Sequence, residues 1–213
     1  MMSQQPQSES SIGDDKQTGP RWIWFVTGPT ACGKTTIAKA LAETLDFTFV
    51  EGDDYHPQAN RDKMARNQPL TDADRAAWLT ALREHEHEHE RTADPSAPSP
   101  NLVVTCSALK RRYRDVLRPG SDQDHGHDAA GGDSLRVRFV FLDVDEDVLR
   151  QRARERKGHF AGEGLVSSQM EALERPGEDG EEGDVVVVRV GEGMGVGDTQ
   201  GEVVRRVRGV MGI

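Results

Sequence analysis

Short apolar runs alternate along the chain with longer segments whose apolar residues recur at helical spacing. The runs predict five strands, at Trp22–Thr27, Phe47–Val50, Asn101–Thr105, Arg136–Leu142 and Asp184–Val188. The other segments predict helices, at Thr35–Leu45, Pro57–Asn67, Asp72–Arg91 (with Thr71 as N-cap and Asp74 at N3), Leu109–Leu117, Glu146–Arg156, Ser168–Glu174 and Glu202–Val210. Because strands alternate with helices, we predict an α/β fold, a doubly wound five-stranded parallel sheet with flanking helices.

Two polar stretches interrupt this pattern and account for the low mean hydropathy of −0.68. Residues 1–19 contain almost no large apolar side chains and predict a disordered N-terminal tail. Residues 119–134 are rich in glycine and aspartate and predict a surface-loop insertion. The remaining chain, residues 20–213, has the apolar content of one domain. Within it, residues 157–167 contain three glycines and predict a mobile loop.

The formal net charge of −10 argues against a general nucleic-acid-binding protein, because such a protein presents a basic face. No stretch approaches the roughly 18 consecutive apolar residues of a membrane span, and the N-terminus lacks the features of a secretory or mitochondrial leader. Two isolated cysteines, Cys32 and Cys106, form neither a disulfide framework nor a zinc site. We therefore expect a cytoplasmic protein with no nucleic-acid or membrane partner.

The segment "GPTACGKT", Gly28–Thr35, matches the phosphate-binding pattern G-x-x-x-x-G-K-[ST] in full and lies between a predicted strand and a predicted helix. Gly28 and Gly33 allow backbone N–H groups to turn toward phosphate oxygens, and the N-terminus of the helix adds a positive dipole. Lys34 can reach the β- and γ-phosphates, and the hydroxyl group of Thr35 can bind Mg²⁺. The sequence therefore predicts a site for a purine nucleoside triphosphate.

A second group of ionisable residues follows the second predicted strand. In a doubly wound sheet, ligands bind outside the carboxyl ends of the strands, so we expect this group near the phosphates. A carboxylate there can accept a proton from an attacking hydroxyl group or hold Mg²⁺ through water. An acidic turn that only caps a helix is the alternative. The group comprises Glu51, Asp53, Asp54 and His56, followed by Arg61, Lys63 and Arg75 as cations for an anionic substrate.

Four stretches resemble the gluconokinase family, which transfers phosphate from ATP to D-gluconate. "GDDYHPQANRDKMARNQPLTDADRAAWL" resembles the family signature, and "CSALKRRYRDVLR" resembles the segment after its third strand. "RARERKGHF" resembles its lid, and "SSQMEALERPGEDGEEGDVVVV" its last lid helix and last strand. The resemblance extends over roughly Trp22–Val188. It implies a P-loop kinase fold with a mobile lid at 157–167, the product 6-phospho-D-gluconate for the pentose phosphate pathway, and a homodimer, since family members are often dimers.

The resemblance also implies roles for single residues. Asp53 would face the gluconate hydroxyl group as the preferred base, with Glu51 and Asp54 left open as alternatives. Arg152 and Arg156 match lid arginines of the family, and Arg156 would offset the charge of the transferring phosphoryl group. The expected catalytic residues are Lys34, Asp53 and Arg156; the nucleotide-binding residues are Gly28, Pro29, Thr30, Ala31, Cys32, Gly33, Lys34, Thr35, Thr36 and Arg152; the substrate-binding residues are Asp53, His56, Arg61, Arg75 and Lys110; and the metal ligands are Thr35 and Glu51.

The negative net charge would repel anionic ligands unless local basic clusters bind them. Lys110–Arg118 contains five basic residues and one acidic residue, so we expect it to serve the ligands. Glu171–Asp184 contains seven acidic residues, which we expect to lie away from the site at screened distances.

Two other functions fit parts of the sequence. One is a related small-molecule kinase that acts on shikimate or a nucleoside. The other is a nucleotide-dependent regulatory protein without transferase activity. The segment "AGEG", Ala161–Gly164, favours the second, because it replaces a bulkier part of the family's lid and predicts looser closure.

Overall fold

The computed structural model describes residues 20–66, 68–91, 101–119, 135–155, 163–177, 182–191 and 193–213. Its strands are β1 (Arg21–Thr27), β2 (Thr48–Val50), β3 (Leu102–Thr105), β4 (Leu135–Val144) and β5 (Val185–Val190). Its helices are α1 (Lys34–Leu45), α2 (Gln58–Ala65), α3 (Asp72–Arg91), α4 (Arg111–Leu117), α5 (Glu146–Glu155), α6 (Glu163–Glu171) and α7 (Val196–Met211). A 3₁₀ turn, Gly52–Tyr55, follows β2.

The five strands form one parallel sheet in the order β2-β3-β1-β4-β5, so the predicted sheet is confirmed. β1 lies at its centre, between β3 and β4, and its apolar run is almost completely buried. Chain order and sheet order diverge at this strand, because β2 and β3 lie on one side of it and β4 and β5 on the other. Such a switch point opens a crevice at the carboxyl ends of the strands.

Helices cover both faces of the sheet and create two apolar cores. On one face, Leu41 of α1 and Val203 of α7 pack in the same cluster as Trp24 of β1. On the other face, Trp78 of α3 packs in the same cluster as Phe25 of β1. Because α3 is anchored through Trp78, its N-terminal end lies beside the turn that follows β2.

The start of α3 has the predicted cap. Asp74 N–H donates to the hydroxyl oxygen of Thr71 at 3.3 Å, and Thr71 N–H donates to the Asp74 carboxylate at 2.8 Å. This reciprocal pair satisfies two backbone donors that the helix itself leaves unpaired. The hydrogen bonds from Lys63 and from Thr71 lower the pKa of Asp74 to about 2.

Predicted boundaries of α4, α6 and α7 were wrong. α6 begins at Glu163, so the last part of the predicted loop at 157–167 is helical, and it ends at Glu171 instead of Glu174. α4 begins at Arg111 instead of Leu109. α7 begins at Val196, before the predicted start at Glu202, because Asp198 caps its first turn by accepting from Gly195 N–H at 3.0 Å.

Several predictions fall outside the described residues. They are the tail at 1–19, almost all of the insertion at 119–134, and the lid residues before Glu163, including Arg156. Within the ranges that the structure does describe, no helix combines the length and apolar character needed to cross a membrane.

Candidate active site

The segment Gly28–Thr35 forms a tight loop from the end of β1 to the start of α1. Gly28 has a φ angle of 138° and Gly33 one of 101°, both in the region that favours glycine. A Cβ atom on Gly28 would lie 2.9 Å from Cys32 Sγ and 3.0 Å from the carbonyl oxygen of Leu142. The backbone therefore curls as the phosphate-binding motif requires, with the first turn of α1 directly behind it.

Lys34 and Arg152 both contact this loop. The ammonium group of Lys34 donates to the carbonyl oxygens of Gly28 and Pro29 at 3.0 and 2.9 Å. Arg152, which extends from α5, approaches the carbonyl oxygen of Cys32 at 3.5 Å. Two cationic side chains predicted to bind nucleotide thus lie at the loop. Three other residues that were predicted to bind nucleotide, Thr30, Ala31 and Thr36, lie in the loop or in the first turn of α1.

Thr35 and Glu51, the two predicted metal ligands, are in direct contact. The hydroxyl group of Thr35 donates to the carboxylate of Glu51 at 2.8 Å. The other carboxylate oxygen of Glu51 accepts from the hydroxyl group of Thr105, at the end of β3. Mg²⁺ prefers hard oxygen ligands such as these, so the donor set fits this ion. Thr105, which the sequence did not single out, fixes the orientation of the carboxylate.

Hydrogen bonds with Thr105 and Trp78 fix the start of the acidic turn Gly52–Tyr55. Gly52 N–H donates to the hydroxyl oxygen of Thr105 at 3.0 Å, and the Gly52 carbonyl oxygen accepts from the Trp78 indole at 2.7 Å. A Cβ atom on Gly52 would lie only 1.9 Å from the Thr105 carbonyl oxygen, so no side chain fits there. Asp53 follows with 70% of its side chain exposed. The buried backbone of Gly52 thus fixes the position of the exposed carboxylate of Asp53.

Arg61 supports the same turn from α2. Its guanidinium donates to the carbonyl oxygens of His56 and Asp54. In this structure the cation therefore holds the backbone of the turn, whereas the sequence predicted that it contacts the substrate. Lys63, also on α2, pairs with Asp74 at 2.6 Å.

His56 lies at the end of the turn and is buried. Its ring stacks on Trp78 with centroids 4.2 Å apart. Its Nε2 atom lies 3.8 Å from a carboxylate oxygen of Asp53. Burial, together with the positive charges of Arg75 and Arg61, lowers the pKa of His56 to about 4. At neutral pH the imidazole is therefore uncharged.

A cavity of about 290 Å³ opens between the start of α3, the start of α4 and α6. Arg75 and Lys110, both predicted to bind substrate, line it. Asp72 also lines it and accepts from Lys110 at 3.0 Å and from the hydroxyl group of Tyr113. Hydrogen bonds from Tyr113, Lys110 and Arg112 hold the pKa of Asp72 well below its usual range. The remaining lining residues are Pro69, Leu70, Thr71, Leu109, Tyr113, Ser168 and Ala172.

Arg114 and Arg118 of the basic segment Lys110–Arg118 do not line this cavity. Arg114 is almost fully buried and donates to the carboxylate of Glu182 at 2.5 and 2.8 Å. Arg118 donates to Glu182 at 2.7 Å and to Asp184 at 2.8 Å. Glu182 and Asp184, the last acidic residues of the segment Glu171–Asp184, therefore neutralise two of the five basic residues, and neither of them lines the cavity.

Gln169 of α6 is in direct contact with the phosphate loop. Its side-chain oxygen accepts from Thr30 N–H at 2.6 Å, and the residue is buried. The bond joins two residues that are 139 positions apart. Sequence reasoning missed this residue, since an amide side chain on a helix gives no signal of its own.

The chain matches known proteins over most of its length. A family model described as "AAA domain" matches residues 23–176. The chain is 41% identical over 160 residues to the gluconokinase of Gluconobacter oxydans, covering 75% of this chain and 79% of that protein. It is 38% identical over 174 residues to a probable gluconokinase of Schizosaccharomyces pombe, covering 81% and 82%.

A solved structure matches as well. The crystal structure of a gluconokinase from Sinorhizobium meliloti 1021 gives a TM-score of 0.63 at 34% identity, over 90% of this chain and 97% of that chain. Together with the parallel sheet and the phosphate loop, this match confirms the predicted P-loop kinase fold.

Proposed function

Because the chain belongs to the gluconokinase family, we propose that it transfers the γ-phosphoryl group of ATP to D-gluconate, releasing 6-phospho-D-gluconate and ADP. The observation that carries this proposal is the contact between Thr35 and Glu51 at 2.8 Å. It joins the phosphate loop to the acidic turn that bears Asp53. This contact would bring a donor site and an acceptor site side by side, which a protein that only binds nucleotide does not need.

The loop Gly28–Thr35 would hold the phosphates of ATP through backbone N–H groups, and Lys34 would leave its two carbonyl partners to bind the β- and γ-phosphates. Thr35 and Glu51 would hold Mg²⁺, and the ion would neutralise part of the charge on the phosphates. Arg152 lies near the loop and would bind the nucleotide from α5. The lid at 157–167, with Arg156, would close over the site and exclude water.

Asp53 would accept the proton of the gluconate hydroxyl group and aim its oxygen at the γ-phosphorus. Its exposed carboxylate supports this role, whereas Glu51 is held by two hydroxyl groups. Arg75 and Lys110 would bind the carboxylate of gluconate in the 290 Å³ cavity. His56 and Arg61 would affect the acceptor indirectly, because they support the turn that carries Asp53.

We also propose that the enzyme acts in the cytoplasm and as a homodimer. Cys32 and Cys106 are buried and neither forms a disulfide bond, which supports a reducing compartment. Size-exclusion chromatography with light scattering tests the assembly. A mass of twice 23.5 kDa supports the dimer, and a mass of 23.5 kDa contradicts it.

An assay that couples ADP formation to gluconate, shikimate and nucleoside acceptors tests the reaction. We expect acceptor-stimulated turnover with gluconate alone. Asp53→Ala should lower kcat by about 10²- to 10⁴-fold, because it removes the base, while ATP still binds. Asp54→Ala is the matched control on the same turn and should retain most activity. Folded wild-type protein that turns over no faster with gluconate than with water would contradict the proposal.

A further inference from the structure

His56 and Asn60 form a buried pair beneath the acidic turn. Asn60, on α2, is only 3% exposed, and His56 is 5% exposed. The amide nitrogen of Asn60 lies 3.4 Å from Nδ1 of His56. The opposite ring nitrogen, Nε2, lies 3.8 Å from a carboxylate oxygen of Asp53. The imidazole thus stands between a buried amide and the proposed base.

The orientation of the Asn60 amide follows from its second partner. The same nitrogen lies 2.8 Å from the backbone carbonyl oxygen of Asp74. A carbonyl oxygen only accepts, so the amide atom at this place must be the donating nitrogen. Its other N–H is then directed at Nδ1 of His56, which must accept.

Because Nδ1 accepts a hydrogen bond, it cannot carry the single ring N–H proton of the neutral imidazole. With Nδ1 unprotonated, the proton is on Nε2, which faces Asp53. Burial is the main reason that the ring stays neutral, Arg75 on α3 and Arg61 on α2 further oppose a second proton, and Asp53 on the turn is largely exposed. Trp78 fixes the plane of the ring by stacking on it.

We propose that Asn60 is a positioning residue: it holds His56 as the Nε2–H tautomer, whose N–H orients the carboxylate of Asp53 toward the acceptor hydroxyl group. One oxygen of Asp53 faces the imidazole, which leaves the other oxygen for the substrate. His56 is then neither a second base nor a cation for gluconate. This inference rests on the proposed function for its catalytic consequence, but the tautomer itself can be measured without any substrate.

Glutamine and leucine at position 56 separate these roles. The amide nitrogen of a glutamine side chain can occupy the place of Nε2 and donate, but it cannot act as an imidazole base. We expect His56→Leu to lower kcat by about 10-fold, at the low end for a contact of an N–H with a charged group, because Nε2 and the Asp53 oxygen are 3.8 Å apart. His56→Gln should restore most of that loss, and neither variant should change the KM for ATP. Equal loss of kcat in the two variants would overturn the inference.

A double-mutant cycle tests Asn60. Asn60→Ala should lower kcat about 3- to 10-fold in the wild-type protein, because the tautomer is no longer fixed. In the His56→Gln background the same change should lower kcat no further, since glutamine has no tautomer to select. A purely structural role through the Asp74 carbonyl would give equal losses in both backgrounds, which would overturn the inference.

The two-bond ¹H–¹⁵N NMR spectrum of the histidine rings gives a readout independent of activity. The signals of His56 are assigned by their loss in His56→Gln. At pH 7 we expect the pattern of a neutral ring protonated on Nε2 in wild type, and a mixture of tautomers in Asn60→Ala. A ring protonated on Nδ1, or on both nitrogens, would overturn the inference even if gluconate is phosphorylated. If gluconate is not phosphorylated but the predicted pattern is seen, only the proposed function fails.

Discussion

The two ends of the basic segment Lys110–Arg118 have opposite surroundings. Arg114 is 1% exposed and is enclosed by Glu182, which also pairs with Arg118. Lys110 and Arg112 instead meet Asp72, whose side chain is 49% exposed beside the 290 Å³ cavity. The buried end is satisfied within the fold, whereas at the open end Lys110 and Arg112 share the carboxylate of Asp72.

This difference shows why a local excess of positive charge does not identify an anion-binding site. A buried guanidinium must be paired, because leaving it alone in a low-dielectric interior costs several kcal/mol. Its partner Glu182 comes from the segment just before β5 and 68 residues away from Arg114, so only the folded chain brings them together. We infer that the buried end stabilises the fold and that the open end serves the ligand.

The largest effect is expected from breaking the buried end. Glu182→Gln removes the charge that Arg114 and Arg118 share, and we expect it to lower the free energy of unfolding by about 3–5 kcal/mol. Urea denaturation measures this loss. The KM for gluconate of the remaining folded protein should stay close to that of wild type.

Glu202→Gln is the matched control for this change. Glu202 pairs with Arg205 and Arg206 on the surface of α7, where solvent screens the charges, so its substitution should lower the free energy of unfolding far less than Glu182→Gln does. Equal destabilisation by the two substitutions would show that burial does not distinguish the pairs.

The same cluster gives a pH dependence of stability. Burial alone would raise the pKa of Glu182, but hydrogen bonds from Arg114 and Arg118 outweigh it and lower the pKa to about 2. The contribution of this carboxylate is therefore fully present above pH 4.5, its ordinary pKa, and is lost as the pH falls toward 2. We expect the stability gap between wild type and Glu182→Gln to shrink across this window. A gap that is constant from pH 6 to pH 2.5 would contradict the assignment.

A smaller effect is expected at the open end. Lys110→Met removes a cation from the cavity, and we expect the KM for gluconate to rise about 10-fold, with little change in the KM for ATP or in stability. Lys39→Met on α1 is the control, because Lys39 lies over the ring of Phe49, outside this cavity. An unchanged KM for gluconate in Lys110→Met would mean that the open end does not bind the acceptor.

The phosphate loop was predictable because its chemistry is local. Eight consecutive residues, Gly28–Thr35, carry both the backbone turns and the side chains that the chemistry needs. The strand and helix on either side also follow from apolar periodicity, and the structure reproduces them within one residue. The cap at Thr71 and Asp74 was equally local and was confirmed.

The supports of the site were not predictable, because they depend on contacts between distant elements. Thr105 holds Glu51 from the neighbouring strand, and Gln169 holds the Thr30 N–H from α6. The role of Asn60 depends on its hydrogen bond to the Asp74 carbonyl group, which only the folded position of α3 brings beside it. A threonine, a glutamine and an asparagine are common surface residues, so the sequence gives no reason to select them. The lid lies mostly outside the described residues, and its role remains a prediction.

The smallest effect is expected from Arg112, the most exposed cation of the segment. Arg112 contacts Asp72 with 57% of its side chain exposed. Water and salt screen an exposed ion pair, so Arg112→Gln should leave the midpoint of urea denaturation almost unchanged and should alter the KM for gluconate by less than about 5-fold. Lys110 and Tyr113 still hold Asp72 in this variant. If Arg112→Gln raised the KM for gluconate as much as Lys110→Met does, both cations would bind the acceptor, and the open end would act as a unit.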